Sequence, residues 1–312
     1  MSTSADIRPA EPHAAVSGGR LQGLALLLFT AVTWGLNWPI AKFLLTELPP
    51  FSMRLASCAG GVVFAFVLAK LRHETLSVPR RMWPRLTLFA MLNFGAFSAF
   101  TTLALAWLKA SEAVIVTYTL PIWANLLAWP VLGERPTRFS VLALLLGLSG
   151  VALLVGVDAS AASWAKLPGI TMGLIAAVLF GLGTVLSKQR PLALPPVTVV
   201  AWQVAIGLVP ILLLSFSETP AWGAVTPLGW TAAFYVAVLP MTVAYLTWFR
   251  ALRLLPAGTA ATGVLIAPMV GVIASALMLG DPLGPRQLAA LLLTLTGVGL
   301  AAWQPRPTHR AA

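Results

Sequence analysis

Three asparagines, Asn37, Asn93 and Asn125, stand inside long apolar stretches of the chain. Each is a neutral hydrogen-bonding group that costs free energy at membrane depth unless it finds a partner. Helical spacing gives each one companions on its own face. Thr30, Thr33, Trp34, Asn37 and Ala41 share one face, and Asn93, Phe97, Phe100, Thr101 and Ala104 another. Thr117, Tyr118, Pro121 and Asn125 fall together. Later stretches offer Thr242, Tyr245 and Phe249, then Thr262, Ile266 and Met269. Aromatic walls with a few polar groups suit a small-molecule cavity. The candidate cavity residues are therefore Trp34, Asn37, Asn93, Tyr118, Asn125, Tyr245 and Thr262, with Trp202 and Gln203 as further wall candidates. A plainer reading stands beside this one. An asparagine can simply glue two helices, a bond worth about 0.6 kcal/mol. Phe97, Phe100 and Phe249 read first as packing, and Trp38, off the asparagine face, as packing or lipid contact.

The same residues offer no bond-making chemistry. The three histidines, His13, His73 and His309, lie in tails or a loop. No pair of carboxylates sits at depth, and no His, Cys or carboxylate cluster has metal-ligand spacing. Cys58 is the single cysteine, so an intrachain disulfide is excluded. Neither a cofactor nor a metal is implied, and the reading is not an enzyme.

Charges near the apolar stretches are candidates for gating or coupling. Glu112 follows Ser111 at the start of one stretch, where an acid favours the positive helix end and Ser111 could cap. Arg54 begins another stretch on the same side, and an Arg54–Glu112 ion pair would make an outer gate. Lys42 and Lys188 read as snorkelling side chains.

These residues need a bilayer to position them. The chain has 312 residues, 59% hydrophobic and only 9% charged, against about 25% charged in a soluble domain. Its net charge of +11 would suit nucleic acid, but the charges lie in short loops and tails, so the cytoplasmic membrane face explains them better. The pattern predicts an all-α integral membrane protein with ten spans, at about 21–44, 51–70, 84–107, 112–132, 139–157, 168–188, 197–216, 229–249, 256–279 and 286–303. With the N-terminus inside, fifteen of the twenty Lys and Arg residues fall on the inner side. Both termini are then cytoplasmic.

The spans repeat. At an offset of 146, Gly35 meets Gly181, Lys42 meets Lys188, and Pro49-Pro50 meets Pro195-Pro196. At 147, Pro121 meets Pro268 and Gly133-Glu134 meets Gly280-Asp281. Five spans per half is an odd number, so the halves must be inverted. A proline near mid-span removes an N–H and frees a carbonyl, that of Thr117 for Pro121. Two such broken helices at one offset point to a transporter's site, with Pro121 and Pro268 as hinges. Ala143-x-x-x-Gly147 and Gly297-x-x-x-Ala301 permit close helix contact in spans five and ten, where a homodimer contact would also fit.

Together these residues resemble the EamA-type branch of the drug/metabolite transporter superfamily. The resemblance rests on Trp34-Gly35-x-Asn37, on Pro50-x-x-x-Arg54, and on Ala110-x-x-Ala113 through Pro121 to Gly133-Glu134, repeated through Pro268 to Gly280. The second copy departs at Asp281 and at Phe180, where the family commonly has Glu and Trp. The resemblance implies a carrier in the bacterial inner membrane that exports a small metabolite, amino-acid-like or related. The expected organisation is a disordered cytoplasmic tail (1–20), a first repeat (21–157), a linker (158–167), a second repeat (168–303) and a cytoplasmic tail (304–312). Expected partners are the small-molecule substrate and lipid, with no nucleic acid. An uptake permease or exchanger of the same fold is the alternative; a membrane scaffold or an intramembrane enzyme fits the residues less well.

Overall fold

The computed structural model describes residues 12–155, 164–255 and 263–302, and among these every regular element is helical. The first half contains α1 (Pro12–Leu44), α2 (Pro50–Leu71), α3 (Trp83–Ala90), α4 (Phe97–Trp107), α5 (Ala110–Thr117), α6 (Leu120–Leu132) and α7 (Arg138–Val155). The second contains α8 (Leu167–Gln189), α9 (Pro196–Ser215), α10 (Pro227–Val238), α11 (Ala244–Leu254), α12 (Ile266–Leu279) and α13 (Pro285–Ala302). Among the described residues, seven helical stretches are long and apolar enough to cross a membrane. Arg138–Leu153 and Ile266–Leu279 are apolar but shorter. The first seven residues of the expected ninth span, 256–262, lie outside the described residues.

Large apolar side chains cover the outside. Val63, Leu145, Leu213, Phe234, Leu277 and Leu292 are all exposed, Leu277 by 82%. In water such a surface would drive association; against acyl chains it is the solvated face.

The structure corrects the expected elements in three places. Helix α1 begins at Pro12, so part of the expected disordered tail is helical. Spans three and eight are not uniform helices. A π-helical segment, Met91–Ala96, joins α3 to α4, and another, Leu239–Val243, joins α10 to α11. The second contains Pro240, which cannot donate to an α-helical ladder. Finally, span four is broken as expected, but the proline follows the break instead of standing in mid-helix. α5 ends at Thr117 and α6 starts at Leu120, so Pro121 occupies the first turn of a new helix, where its missing N–H leaves no gap. The hydroxyl of Thr119 closes the break by donating to the Val116 carbonyl at 2.7 Å. The second half breaks alike, with a turn at Val264–Leu265 before α12.

Both broken helices stop at a left-handed glycine, Gly133 (φ 75°) and Gly280 (φ 69°). The next residue's N–H reaches back six positions, from Glu134 to the Ala128 carbonyl and from Asp281 to that of Ser275. The glycine N–H groups themselves donate four positions back, to the Trp129 and Ala276 carbonyls at 2.9 and 3.1 Å, which is the bond of an αL C-cap, so the repeated glycine has a backbone cause.

The halves interleave. α1 packs on α11 and α12, while α8 packs on α4 and α6; α2 packs on α9, and α7 on α13. Glycines let the backbones meet. A Cβ on Gly35 would lie 2.7 Å from the Ala267 carbonyl oxygen, and one on Gly181 would lie 2.8 Å from the Ala124 nitrogen. Each half thus seats its first helix on the broken helix of the other. The small residues of spans five and ten serve each other: a Cβ on Gly297 would lie 2.7 Å from the Ala143 carbonyl oxygen.

Helix starts are capped across the halves. α2 and α9 begin with Pro49-Pro50 and Pro195-Pro196, which carry no side-chain acceptor. The carboxylate of Glu218 accepts from the Phe51 and Ser52 N–H groups at 3.0 and 2.7 Å. Reciprocally, Glu74 accepts from the Val197 and Thr198 N–H groups at 3.1 and 3.2 Å. Glu47 accepts from the Thr226 N–H at 2.9 Å, ahead of α10. Such caps add the dipole attraction to otherwise unmet donors. Glu218→Ala and Glu74→Ala should each lower stability by about 1–3 kcal/mol. Glu134→Ala should change it by less than about 0.5 kcal/mol, because its 2.8 Å pair with Lys188 is exposed on both sides. Unfolding temperatures of the purified variants check this; equal losses at Glu134 and Glu218 would refute the capping account.

Candidate binding site

The structure brings three of the predicted cavity residues, Trp34, Tyr118 and Tyr245, into aromatic contacts along α1. Trp34 on α1 meets Tyr245 on α11 edge-on, with ring centroids 5.4 Å apart, and Trp248 at 5.9 Å. One turn along α1, Trp38 meets Tyr118 at 6.3 Å. Asn37 lies between the two tryptophans in sequence. The π-helical segment positions this wall, since the indole N–H of Trp34 donates to the Pro240 carbonyl at 3.2 Å. Tyr118 stands at the break between α5 and α6. Local unwinding of this kind recurs at functional sites, because it re-aims side chains that a regular helix would hold elsewhere.

The group is aromatic and carries a spare acceptor. The side-chain oxygen of Asn37 is buried and has no hydrogen-bond partner in the structure. The hydroxyls of Thr117 and Thr242 are in the same condition. A buried polar atom without a partner costs about 1–3 kcal/mol. It is an available acceptor for a ligand's N–H or O–H.

The other candidates fall elsewhere. Asn93, on the first π-helical segment, packs into the notch left by Gly183 on α8, and its amide donates weakly to Ser187 at 3.4 Å. Its oxygen is also unpartnered. Asn125 is half-buried on α6, the helix that packs on α8. Phe97 meets Phe180 of α8 at 4.8 Å. Phe180 is the counterpart of Trp34 at the offset of 146, so α8 carries a second aromatic contact, without a tyrosine partner. Thr262 lies outside the described residues, as does the side chain of Phe249.

Of the two expected readings of Trp38, packing is the one seen: it is 6% exposed and lies in the core. Other expectations are corrected. Met269 faces outward, 44% exposed, because α12 turns Gly271 and Pro268 inward instead. Trp202 is a packing residue, with its indole donating to the Leu76 carbonyl at 3.0 Å and its rings against Phe66 and Trp83. The Arg54–Glu112 pair does not form. Glu112, buried, binds Lys166 at 2.6 Å and also accepts from the Lys109 N–H at 3.3 Å. Arg54 donates to Thr102 at 2.7 Å. Ser111 does not cap its helix; it donates to Asp281 from both backbone and hydroxyl, at 3.0 and 2.8 Å. Lys42 does not snorkel to water. Its ammonium donates to the Leu105 and Leu108 carbonyls, at 2.5 and 2.9 Å, and so caps the end of α4.

Sequence reasoning missed Lys166, Thr119, Trp248 and the capping acids. Local patterns cannot find most of them: Lys166 lies 54 residues from Glu112, and Asp281 lies 170 from Ser111. Thr119 was within reach, since a hydroxyl beside a helix-breaking proline has a freed carbonyl to bind.

All six described carboxylates sit at helix ends and are engaged there, and among the described residues no three His, Cys, Asp or Glu side chains gather to hold a metal.

The EamA-like transporter family matches this chain twice, over residues 21–156 and 167–303. The chain belongs to that family. It is 29% identical over 296 residues to an uncharacterized transporter, YvbV, of Bacillus subtilis (strain 168), covering 92% of this chain and 93% of the relative. It is 24% identical to a probable amino-acid metabolite efflux pump of Salmonella typhimurium, covering 92% and 97%. It is 26% identical to the aromatic amino acid exporter YddG of Ancylobacter novellus, over 72% of this chain and 77% of that one. A solved crystal structure superposes with a TM-score of 0.64 at 21% identity, covering 91% of this chain and 96% of the other, which shows the shared fold. This EamA-like protein is therefore a multi-pass membrane protein of a transporter family.

Proposed function

We propose that this EamA-like protein exports a small amino-acid-like metabolite across the bacterial inner membrane by alternating access. Ten spans form two inverted five-helix halves, and both termini are cytoplasmic. The substrate binds at Trp34, Asn37, Tyr118 and Tyr245, with Asn93, Asn125 and Thr262 as the partners from the rest of the cavity. Pro121 and Pro268 are the hinges.

One observation carries this reading. Each half seats a glycine of its first helix on the broken helix of the other, Gly35 on Ala267 and Val270, which flank Pro268, and Gly181 on Leu120 and Ala124, which flank Pro121. Each hinge is therefore gripped by the opposite half. Rocking one half against the other must move both hinges, and the two ends of the bundle open in turn. At one end, the pair of buried Glu112 with half-buried Lys166 and the Asp281–Ser111 cap tie the halves shut. The names of the Salmonella and Ancylobacter relatives favour an amino-acid-like cargo moving outward.

Proteoliposomes loaded with labelled aromatic amino acids test the activity, with Pro121→Ala and Pro268→Ala as hinge variants. Both variants should transport at least about tenfold more slowly, since restoring an N–H lets the break close into continuous helix and favours one access state. A cysteine placed at Asn125 should then label from opposite faces in the two variants. Unchanged rates and identical labelling would remove the hinge role. Orientation is checked separately: Thr308→Cys should label only after the cells are permeabilised, and labelling of intact cells would reverse the topology.

A further inference from the structure

We infer that Arg54 is the anchor for a carboxylate on the transported molecule, a reading that rests on the carrier function proposed above. Arg54 is the fifth residue of α2, about 6 Å along the helix from its start. It is 3% exposed. A guanidinium carries five N–H donors in a planar fork. Its Nε–H donates to the Thr102 hydroxyl at 2.7 Å, and no described carboxylate pairs with the fork. That hydroxyl gives its own proton to the Ser98 carbonyl at 2.7 Å, so its lone pair is held toward Arg54. The fork is thereby oriented, and its outer edge is left without a counter-charge.

No described acid supplies one. Glu47 is held by Thr226, Glu74 by Thr198, Glu134 by Lys188 and Glu112 by Lys166. Asp281 is held by Ser111. Glu218, at the start of α2, spends both oxygens on Phe51 and Ser52. The remaining acids, Asp6, Glu11 and Asp158, lie outside the described residues. Lys42 makes an instructive contrast, because two carbonyls satisfy its ammonium. Arg54 meets a neutral hydroxyl.

Two physical penalties fall on this position. A desolvated cation without a partner is costly, and an intramembrane charge is rarely kept without a task. A cation near a helix N-terminus also opposes the helix dipole. Both penalties reverse when an anion arrives. The free edge of the fork matches a carboxylate with two parallel N–H···O bonds. A lipid phosphate would also satisfy the charge, but Arg54 is too buried for a headgroup at the bilayer surface. With an aromatic wall on α1, α5 and α11, the predicted cargo pairs an aromatic or apolar body with a carboxylate.

Thermal unfolding of the purified full-length protein tests this, with 3-phenylpropionate, phenethylamine and phenylphosphonate as probes. Wild type, Arg54→Lys and Arg54→Met are compared. The half-saturating concentration of 3-phenylpropionate should rise by more than about tenfold in Arg54→Met and by less in Arg54→Lys. Phenethylamine should act equally on all three, which also shows that the variants are folded. Equal responses to 3-phenylpropionate in wild type and Arg54→Met would overturn the inference. So would stabilisation of the wild type by phenethylamine alone, or by phenylphosphonate as strongly as by the carboxylate. In those cases transport of amines in proteoliposomes would leave the carrier reading standing. Loss of all transport in the wild type would end both.

Discussion

Gly35→Ala should lower the unfolding temperature by roughly 5 °C or more, and Gly35→Leu should prevent the protein from accumulating. The added Cβ would meet the Ala267 carbonyl oxygen and the Val270 Cβ, each at 2.7 Å. These neighbours are backbone and the stiff part of a branched side chain, so they cannot swing away. α1 would have to retreat from α12, and it carries Trp34 and Asn37 with it. Transport should therefore fall further than stability alone predicts. Gly181→Ala should behave alike, because its Cβ would lie 2.8 Å from the Ala124 nitrogen. Gly223→Ala is the control, having nothing within 4 Å. Unfolding temperature and proteoliposome flux are read on the same samples. A Gly35→Ala protein within a degree of wild type would mean that α1 does not seat on the broken helix, and the coupling of hinge to opposite half would go with it.

The second large effect is expected at Asn37, and it separates two roles that a static contact list confuses. Asn37→Leu keeps the approximate volume and removes a buried oxygen that has no partner. If the asparagine served only the fold, it would have found a partner within the fold. Its removal should thus leave stability unchanged or raise it by about 1 kcal/mol. Transport should nonetheless fall at least about tenfold, because the acceptor for the cargo is gone. Asn93→Leu should differ, since Asn93 fills the notch over Gly183 and a branched side chain would collide there. Flux and unfolding temperature measured together decide the matter. A destabilised Asn37→Leu protein whose flux falls only in proportion to its folded fraction would return Asn37 to the role of helix glue.

How much of this was legible in advance differs element by element. Composition was enough for the membrane class, because 9% charge cannot cover a water-facing surface. Offsets of 146 and 147 were enough to pair Pro121 with Pro268 and Gly133 with Gly280, since a duplicated chain keeps its register. The break at Pro121 and the caps at Gly133 and Gly280 are local events, governed by one missing N–H and one positive φ. Residue type and neighbours announce them.

The charges were not legible. An acid near a helix end announces that it will cap something, but not what. Glu74 and Thr198 are 124 residues apart, and Glu47 and Thr226 are 179 apart. Only the interleaved packing of the halves brings these ends together. The Arg54–Glu112 pairing failed for the same reason. Opposite charges at one membrane face are candidates for each other, but Lys166 and Thr102 stand closer once the helices are packed. Aromatic grouping lies between these cases. Spacing along α1 placed Trp34 and Asn37 on one face, whereas the π-helical segment at Leu239–Val243 shifts the register that brings Tyr245 and Trp248 to meet Trp34. Helical periodicity fails at an inserted residue, so one chain's local pattern delivered the parts of the wall and the tertiary packing alone assembled them.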